Sequence, residues 1–310
     1  MNESPVWKAE FPYQSKSIQI DGLRYAYVDQ GPAGESQKGS QPIVAVHGNP
    51  TWSFYWRRLF GDVSAGPSES KSEQRLGNRR VLAVDHIGCG RSDKPQRYEY
   101  TLARHRDNLL TWIDRLGLSE ITLVVHDWGG AIGLAAAVQR PDLFSRLIVT
   151  NTGAFPPPYI PLRISACRIP LLGTLAVRGF NAFAGAAIRM ATHRYAKLPE
   201  AAAAGLLAPY DSWRNRVAID RFVKDIPARK SHPSYQVLVD LESKLPLLDE
   251  KPILLVWGMR DWCFRPECLR RFQHHWPHAT SVELADAGHY VMEDAPDQML
   301  AAVEQFLEQN

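Results

Sequence analysis

Five short runs of this chain are apolar at nearly every position: Ile43-Val44-Ala45-Val46, Val81-Leu82-Ala83-Val84, Ile121-Thr122-Leu123-Val124-Val125, Leu147-Ile148-Val149 and Pro252-Ile253-Leu254-Leu255-Val256-Trp257. Side chains alternate between the faces of a strand, so runs like these fit only a sheet covered on both sides. Helix-like segments, such as Thr101 to Leu116 and Pro296 to Leu307, supply the cover. The fold class that follows is α/β, a mainly parallel sheet between two helical layers. An antiparallel start precedes it, since Ser17-Ile18-Gln19-Ile20 and Leu23 to Val28 flank the two-residue turn Asp21-Gly22. With 310 residues, 45% of them hydrophobic, the chain suits one large core carrying an inserted subdomain better than two independent domains.

The insertion is predicted over 155–232, where Pro156-Pro157-Pro158 breaks the strand–helix rhythm and helix-like apolar segments run on to Pro233. Residues 1–154 and 233–310 then form the core domain, and 155–232 a helical cap. From Leu143 to Pro199 there is no Asp or Glu, while Arg146, Arg163, Arg168, Arg178, Arg189, Arg194 and Lys197 punctuate Leu, Ile, Phe and Ala. One reading is a cap whose apolar residues line a pocket and whose arginines face water. The other is a basic amphipathic surface that touches an anionic membrane or an acidic partner protein, or pairs two copies of the chain. Two further stretches, Gly31 to Gln41 and Ser64 to Arg80, are rich in Ser, Gly and charge and read as solvated loops.

A formal net charge of +3 with no basic block argues against nucleic acid as a partner. The four cysteines, Cys89, Cys167, Cys263 and Cys268, lack metal-ligand spacing and read as free thiols. Neither a metal nor a cofactor is expected. Met1 to Lys8 has no basic start followed by an apolar segment, so a cytoplasmic location is expected, with peripheral membrane association if the cap touches lipid. No apolar run is long enough to span a bilayer.

The third apolar run leads directly into His126-Asp127-Trp128-Gly129-Gly130 and on to Ala131-Ile132-Gly133-Leu134-Ala135-Ala136-Ala137. Strand, sharp turn and helix with a reactive residue at the apex make a nucleophile elbow, with Asp where ester hydrolases carry Ser. A carboxylate that attacks a saturated carbon forms an ester that water can still cleave, whereas serine would form a stable ether. Such a nucleophile needs a base, a group to orient the base, and donors for developing negative charge. Of ten histidines, His289 follows the last predicted strand, Ser281 to Leu284, in the turn Ala287-Gly288-His289-Tyr290. His274 and His275 read as helix surface, and His126 flanks the elbow. Asp261, directly after the run ending at Trp257, is the candidate orienting acid; its plain alternative is a surface acid paired with Arg260. Asn151-Thr152-Gly153, after the fourth run, offers no carboxylate, and Asp286 lies in the turn itself, where Asp commonly bonds its own backbone. The turn His47-Gly48-Asn49-Pro50 follows the first run, so the backbone N–H groups of Asn49 and Trp128 can form an oxyanion hole. The indole and amide N–H groups of the same two residues suit a departing anion. A packing aromatic and a turn former are the plain alternatives.

At these residues the chain resembles the α/β-hydrolase superfamily and, within it, the haloalkane dehalogenases. The matching positions are His47 to Pro50, His126 to Gly130, Asp261 and Ala287 to His289. The resemblance implies that Asp127 displaces halide from a small apolar substrate and that water activated by His289 hydrolyses the alkyl ester, giving alcohol, halide and a proton. Asp261 would orient His289, and Asn49 with Trp128 would bind the halide. Asp261 together with Asn49 resembles a less usual branch, which is also similar to enzymes of bacterial olefin biosynthesis that convert a β-lactone into an alkene and carbon dioxide. The stretches Ala208-Pro209-Tyr210-Asp211-Ser212-Trp213 and Phe222-Val223-Lys224-Asp225-Ile226-Pro227 resemble that group. Epoxide hydrolysis would instead require cap tyrosines, for which Tyr159, Tyr195, Tyr210 and Tyr235 are the sources. A non-catalytic ligand-binding protein on the same fold is the alternative from outside enzymology.

Overall fold

The computed structural model describes residues 5–31, 41–61, 76, 79–193 and 198–310. Most of the two expected loops, and with them Arg194, Tyr195 and Lys197, lie outside the described residues. Eight strands form one sheet: β1 Lys16–Ile20, β2 Leu23–Gln30, β3 Ile43–Val46, β4 Val81–Val84, β5 Ile121–Asp127, β6 Phe144–Thr152, β7 Ile253–Gly258 and β8 Thr280–Leu284, in the order β1-β2-β4-β3-β5-β6-β7-β8. β1 and β2 pair antiparallel, β2 meets β4 antiparallel, and the remaining pairs are parallel.

Why the apolar runs lack alternation is visible in where their side chains go. Val44, Leu82, Leu123, Leu147 and Leu255 pack into the core on one face, while Ala45, Ala83, Val124, Ile148 and Leu254, each adjacent in sequence, pack into the core on the other. Each such Val, Leu or Ile gains about 1.5–3 kcal/mol from full burial, and a polar residue on either face would forfeit it. The edge strands β1 and β8 keep mixed, mostly exposed patterns because only their inner ends are covered.

The first face is covered by α1 (Leu102–Leu116), α2 (Trp128–Gln139) and helices from the second half of the chain. α1 begins where the Thr101 side chain accepts from the Arg104 N–H and ends at Gly117, whose φ of 59° is the left-handed cap that glycine tolerates. After β6 the chain leaves the sheet. The helices α3 (Leu162–Cys167), α4 (Ala182–Met190), α5 (Glu200–Leu207) and α6 (Val217–Asp225) follow before α7 (Pro233–Lys244) returns to the first face. The last helices, α8 (Pro266–His275) and α9 (Pro296–Gln309), cover opposite faces. Among the described residues no helix is long and apolar enough to cross a membrane.

Candidate active site

Four parallel strands end at one edge of the sheet, and each delivers a piece of the site: β3 leads to Asn49, β5 to Asp127, β7 to Asp261 and β8 to His289. β5 is buried throughout and closes on Asp127 at φ 52° and ψ −130°, a strained conformation for a residue with a Cβ. The turn is this tight only because its neighbours lack side chains. A Cβ on Gly48 would stand 2.1 Å from Asp127 Oδ1, and one on Gly129 would stand 2.0 Å from the Val46 carbonyl oxygen.

The strain aims the carboxylate. Asp127 Oδ1 accepts from the Trp128 N–H at 2.6 Å and from the Asn49 N–H at 2.8 Å. Oδ2 faces His289 Nε2 at 3.4 Å. On its far side the imidazole meets Asp261 Oδ2 at 2.9 Å through Nδ1. Asp261 is buried, and its other oxygen accepts from the Cys263 N–H at 2.6 Å, so the alternative of a surface acid paired with Arg260 does not describe it. Asp286 is largely exposed and lies 4.0 Å from His193 instead of in the site.

Burial opposes a charge on His289, but the negative charge of Asp261 and the hydrogen bonds to Asp127 and Asp261 outweigh it, raising its pKa to about 10. Burial likewise acts to raise the Asp261 carboxyl. The charge and hydrogen bond of His289, with the N–H groups of Cys263 and Asn151, hold it below the ordinary carboxylate value. His126, also buried, is pushed down to about 3, first by desolvation and then by His289. It is therefore neutral, and its Nε2–H donates to the His289 carbonyl oxygen at 2.8 Å, fixing the backbone that carries the imidazole.

Asn151 is the residue that reading the sequence for carboxylates passes over. It is the penultimate residue of β6, at φ 30°, donates from Nδ2 to Asp261 Oδ2 at 2.9 Å and to the Gly258 carbonyl oxygen at 3.1 Å, and accepts at Oδ1 from the Gly258 N–H at 2.7 Å. One side chain thus ties the ends of β6 and β7 together and holds the acid. The available signal was an Asn at a strand end, the residue type most tolerant of positive φ.

Asn49, Asp127, Trp128 and His289 all border a single cavity whose remaining wall comes largely from the cap and the loop after β7, including Phe155, Ile164, Phe183, Val223, Trp262 and Phe264. Among the described residues Asp127 is the only carboxylate on that wall, and no Lys or Arg lines it. The Trp128 ring packs 5.4 Å from Phe222, and the Asn49 amide donates to the Ile219 carbonyl oxygen at 3.4 Å, a long bond that a stronger acceptor can displace. Cys263 and Cys268 also border the cavity, which their spacing did not reveal. Burial holds both thiols protonated, that of Cys268 pushed up to about 12. Of the tyrosines considered for epoxide opening, Tyr159 borders the cavity but donates to the Cys263 carbonyl oxygen, and Tyr210 donates to the Thr51 carbonyl oxygen away from it.

An eight-stranded, mainly parallel sheet with an elbow at the end of β5 and the inserted helices between β6 and α7 defines an α/β-hydrolase, here with Asp at the apex. The sequence model of that family, described as the alpha/beta hydrolase fold, matches residues 41–296. Within it the chain belongs to the group that holds the haloalkane dehalogenases and the alkyloxetanone decarboxylases. It is 38% identical over 302 residues to the cis-3-alkyl-4-alkyloxetan-2-one decarboxylase of Shewanella oneidensis, covering 96% of this chain and 89% of that protein. It is 30% identical over 298 residues to haloalkane dehalogenase 2 of Mycobacterium tuberculosis, covering 94% of each. The crystal structure of the haloalkane dehalogenase DatA from Agrobacterium tumefaciens C58 superposes with a TM-score of 0.81 at 25% identity, covering 97% of this chain and 99% of that one.

Proposed function

We propose that the protein displaces an anionic leaving group from a saturated carbon through a covalent ester on Asp127, as a hydrolase of haloalkane dehalogenase type. The observation that carries this reading is the division of labour within the carboxylate: two backbone N–H groups hold Oδ1, while Oδ2, turned toward His289 and an apolar cavity, is the oxygen placed to attack. Oδ2 bonds to carbon as the carbon–halogen bond breaks, and the halide leaves toward the indole N–H of Trp128 and the side-chain amide N–H of Asn49. Oδ1 becomes the ester carbonyl oxygen, already seated where charge develops when water adds. His289 takes the proton of that water, and Asp261 fixes the ring with Nε2 toward the reaction. Esterification removes one of the two carboxylates that raise the pKa of His289, so the imidazole becomes available as a base after the first step.

A second reading, decarboxylation of a β-lactone bearing alkyl groups at ring positions 3 and 4, is favoured by the 38% identity to the Shewanella oneidensis protein. It starts in the same way. Oδ2 attacks the ring carbon that bears the ring oxygen, and that oxygen leaves as a carboxylate still tethered to the neighbouring carbon. The bond to this carboxylate then breaks to release carbon dioxide, its electron pair forms the alkene, and the Asp127 carboxylate departs unchanged. No water is consumed. Of the two substrates, sequence likeness weighs toward the lactone, and the side-chain N–H groups of Asn49 and Trp128 suit either leaving group.

The test is a paired assay with a bromoalkane and a cis-3,4-dialkyl β-lactone, reading bromide and alkene, with intact mass of His289→Ala after the bromoalkane. Covalent catalysis predicts an alkyl adduct on Asp127 in that variant, because the first step does not need the base. Alkene without bromide would assign the lactone, and bromide without alkene would remove it. Neither product, together with no adduct, would refute the covalent reading.

A further inference from the structure

We infer that the cap docks on a bilayer containing anionic lipid, with the cavity entrance against the membrane. Among the described residues nine large apolar side chains stand out as exposed, and seven of them, including Leu162 (88%), Leu171 (86%) and Phe180 (77%), lie between 162 and 213 of the cap. Leu171, Leu175, Trp213 and the Gly179–Phe180 pair lie close together. The Leu175 N–H donates to the Leu171 carbonyl oxygen, a Cβ on Gly179 would stand 3.2 Å from Leu175 and 3.8 Å from Trp213, and the Arg178 guanidinium lies 4.6 Å over the Trp213 ring. Leu171 holds φ 62°, a conformation that favours glycine, yet it carries a leucine side chain out into solvent. Exposed apolar area of this concentration marks a contact surface.

Charge selects the occupant. No Asp or Glu occurs from Leu143 to Pro199, and among the described residues none of Arg163, Arg168, Arg178 and Arg189 forms a salt bridge to a carboxylate. A second copy docked by two-fold symmetry would set this basic patch against itself, which repels. Arg168 and Arg178 are partly buried and bonded to the Val223 and Trp213 carbonyl oxygens, whereas Arg163 and Arg189 are exposed; apolar side chains beside these two exposed cations match the interface of an anionic bilayer, with the side chains among the acyl chains and the guanidinium groups at the phosphates. The placement also serves the site. On α3, Leu162 points to solvent while Ile164, two residues on, borders the cavity together with Pro161, so the proposed contact runs up to the cavity wall. The docking itself does not depend on which substrate reacts at Asp127.

Co-sedimentation of the full chain with phosphatidylcholine vesicles, and with equimolar phosphatidylcholine and phosphatidylglycerol vesicles, tests this. The wild type should bind the anionic vesicles at least about tenfold more tightly and lose binding in high salt. Arg163→Gln and Arg189→Gln should each weaken it by about fivefold. Leu171→Gly combined with Phe180→Ser should weaken it by more than about tenfold while the thermal midpoint holds, because glycine relieves the backbone at 171. Equal binding to both vesicle types, or binding to neither, overturns the proposal. A wild-type oligomer that the double variant splits, with no vesicle binding, also overturns it and makes the patch an interface between copies.

Discussion

At the scale of single residues, the site is governed by how two carboxylates share one imidazole. Asp127 and Asp261 lie on opposite nitrogens of His289, and their joint effect raises its pKa to about 10 against the opposing effect of burial. A histidine whose folded pKa lies above its unfolded value contributes stability that is full below about pH 6.5 and is lost as pH rises through about 10. Asp127→Asn keeps the shape and removes one charge, as the proposed ester would. It should therefore lower the His289 pKa and move the alkaline loss of stability to lower pH; imidazole titration by NMR would check the first, and thermal melts across pH the second. An unchanged His289 pKa would mean that esterification does not free the base. The sequence could place Asp127 and Asp261 shortly after apolar runs and His289 in the turn after the mixed strand β8, because a parallel sheet gathers the loops after its strands at one edge, and the structure brings the three side chains together there. Asn151 was not, because a search for acids and bases does not register an amide whose part is to hold one.

Among the elements, the central strands were readable because burial on both faces leaves no room for polar residues. β6 was underread. The triplet Leu147 to Val149 is apolar, but the strand extends from Phe144 to Thr152; Thr150, Asn151 and Thr152 are buried polar residues, and the pattern treats the last two as loop. Their polarity is satisfied inside: Thr150 Oγ1 donates to the Val125 carbonyl oxygen, Thr152 Oγ1 to that of Asp127, and Asn151 exchanges bonds with Gly258. Parallel pairing of β6 with β7 ends at Thr150 and Val256, so the Asn151 side chain takes over where the backbone ladder stops. Asn151→Ala should cost about 2–3 kcal/mol in denaturant unfolding, since it leaves the Gly258 N–H buried without its acceptor. It should also slow turnover by loosening Asp261. A variant with wild-type stability and turnover would show that backbone pairing alone positions the acid.

For the whole molecule, the question is how an inserted block of short helices stays in register with a sheet that shares no strand with it. Proline breaks and the loss of strand rhythm announced the insertion, but not what fastens it. Asp225, the last residue of α6, is one fastening. Its Oδ2 accepts from the Leu102 N–H at the start of α1, and its Oδ1 accepts from Ser234 Oγ in α7 at 2.6 Å, so a single buried carboxylate joins the cap to two core helices. Desolvation raises its pKa to about 6, although the bonds from Ser234 and Leu102 and the charge of Arg168 pull the other way. An acid raised in this way contributes stability that is full below about pH 3.8 and is lost as pH climbs through about 6. Asn can accept from the Leu102 N–H and donate to Ser234 Oγ, replacing both bonds without the charge. Asp225→Asn should therefore match the wild type near pH 4 and exceed it at pH 7, by up to about 3 kcal/mol from a shift of about two pK units. Thermal melts of both proteins from pH 4 to 8 would decide it. A variant less stable at pH 7 would mean that the carboxylate's charge, facing Arg168 and the N-terminus of α1, holds the cap more strongly than burial weakens it.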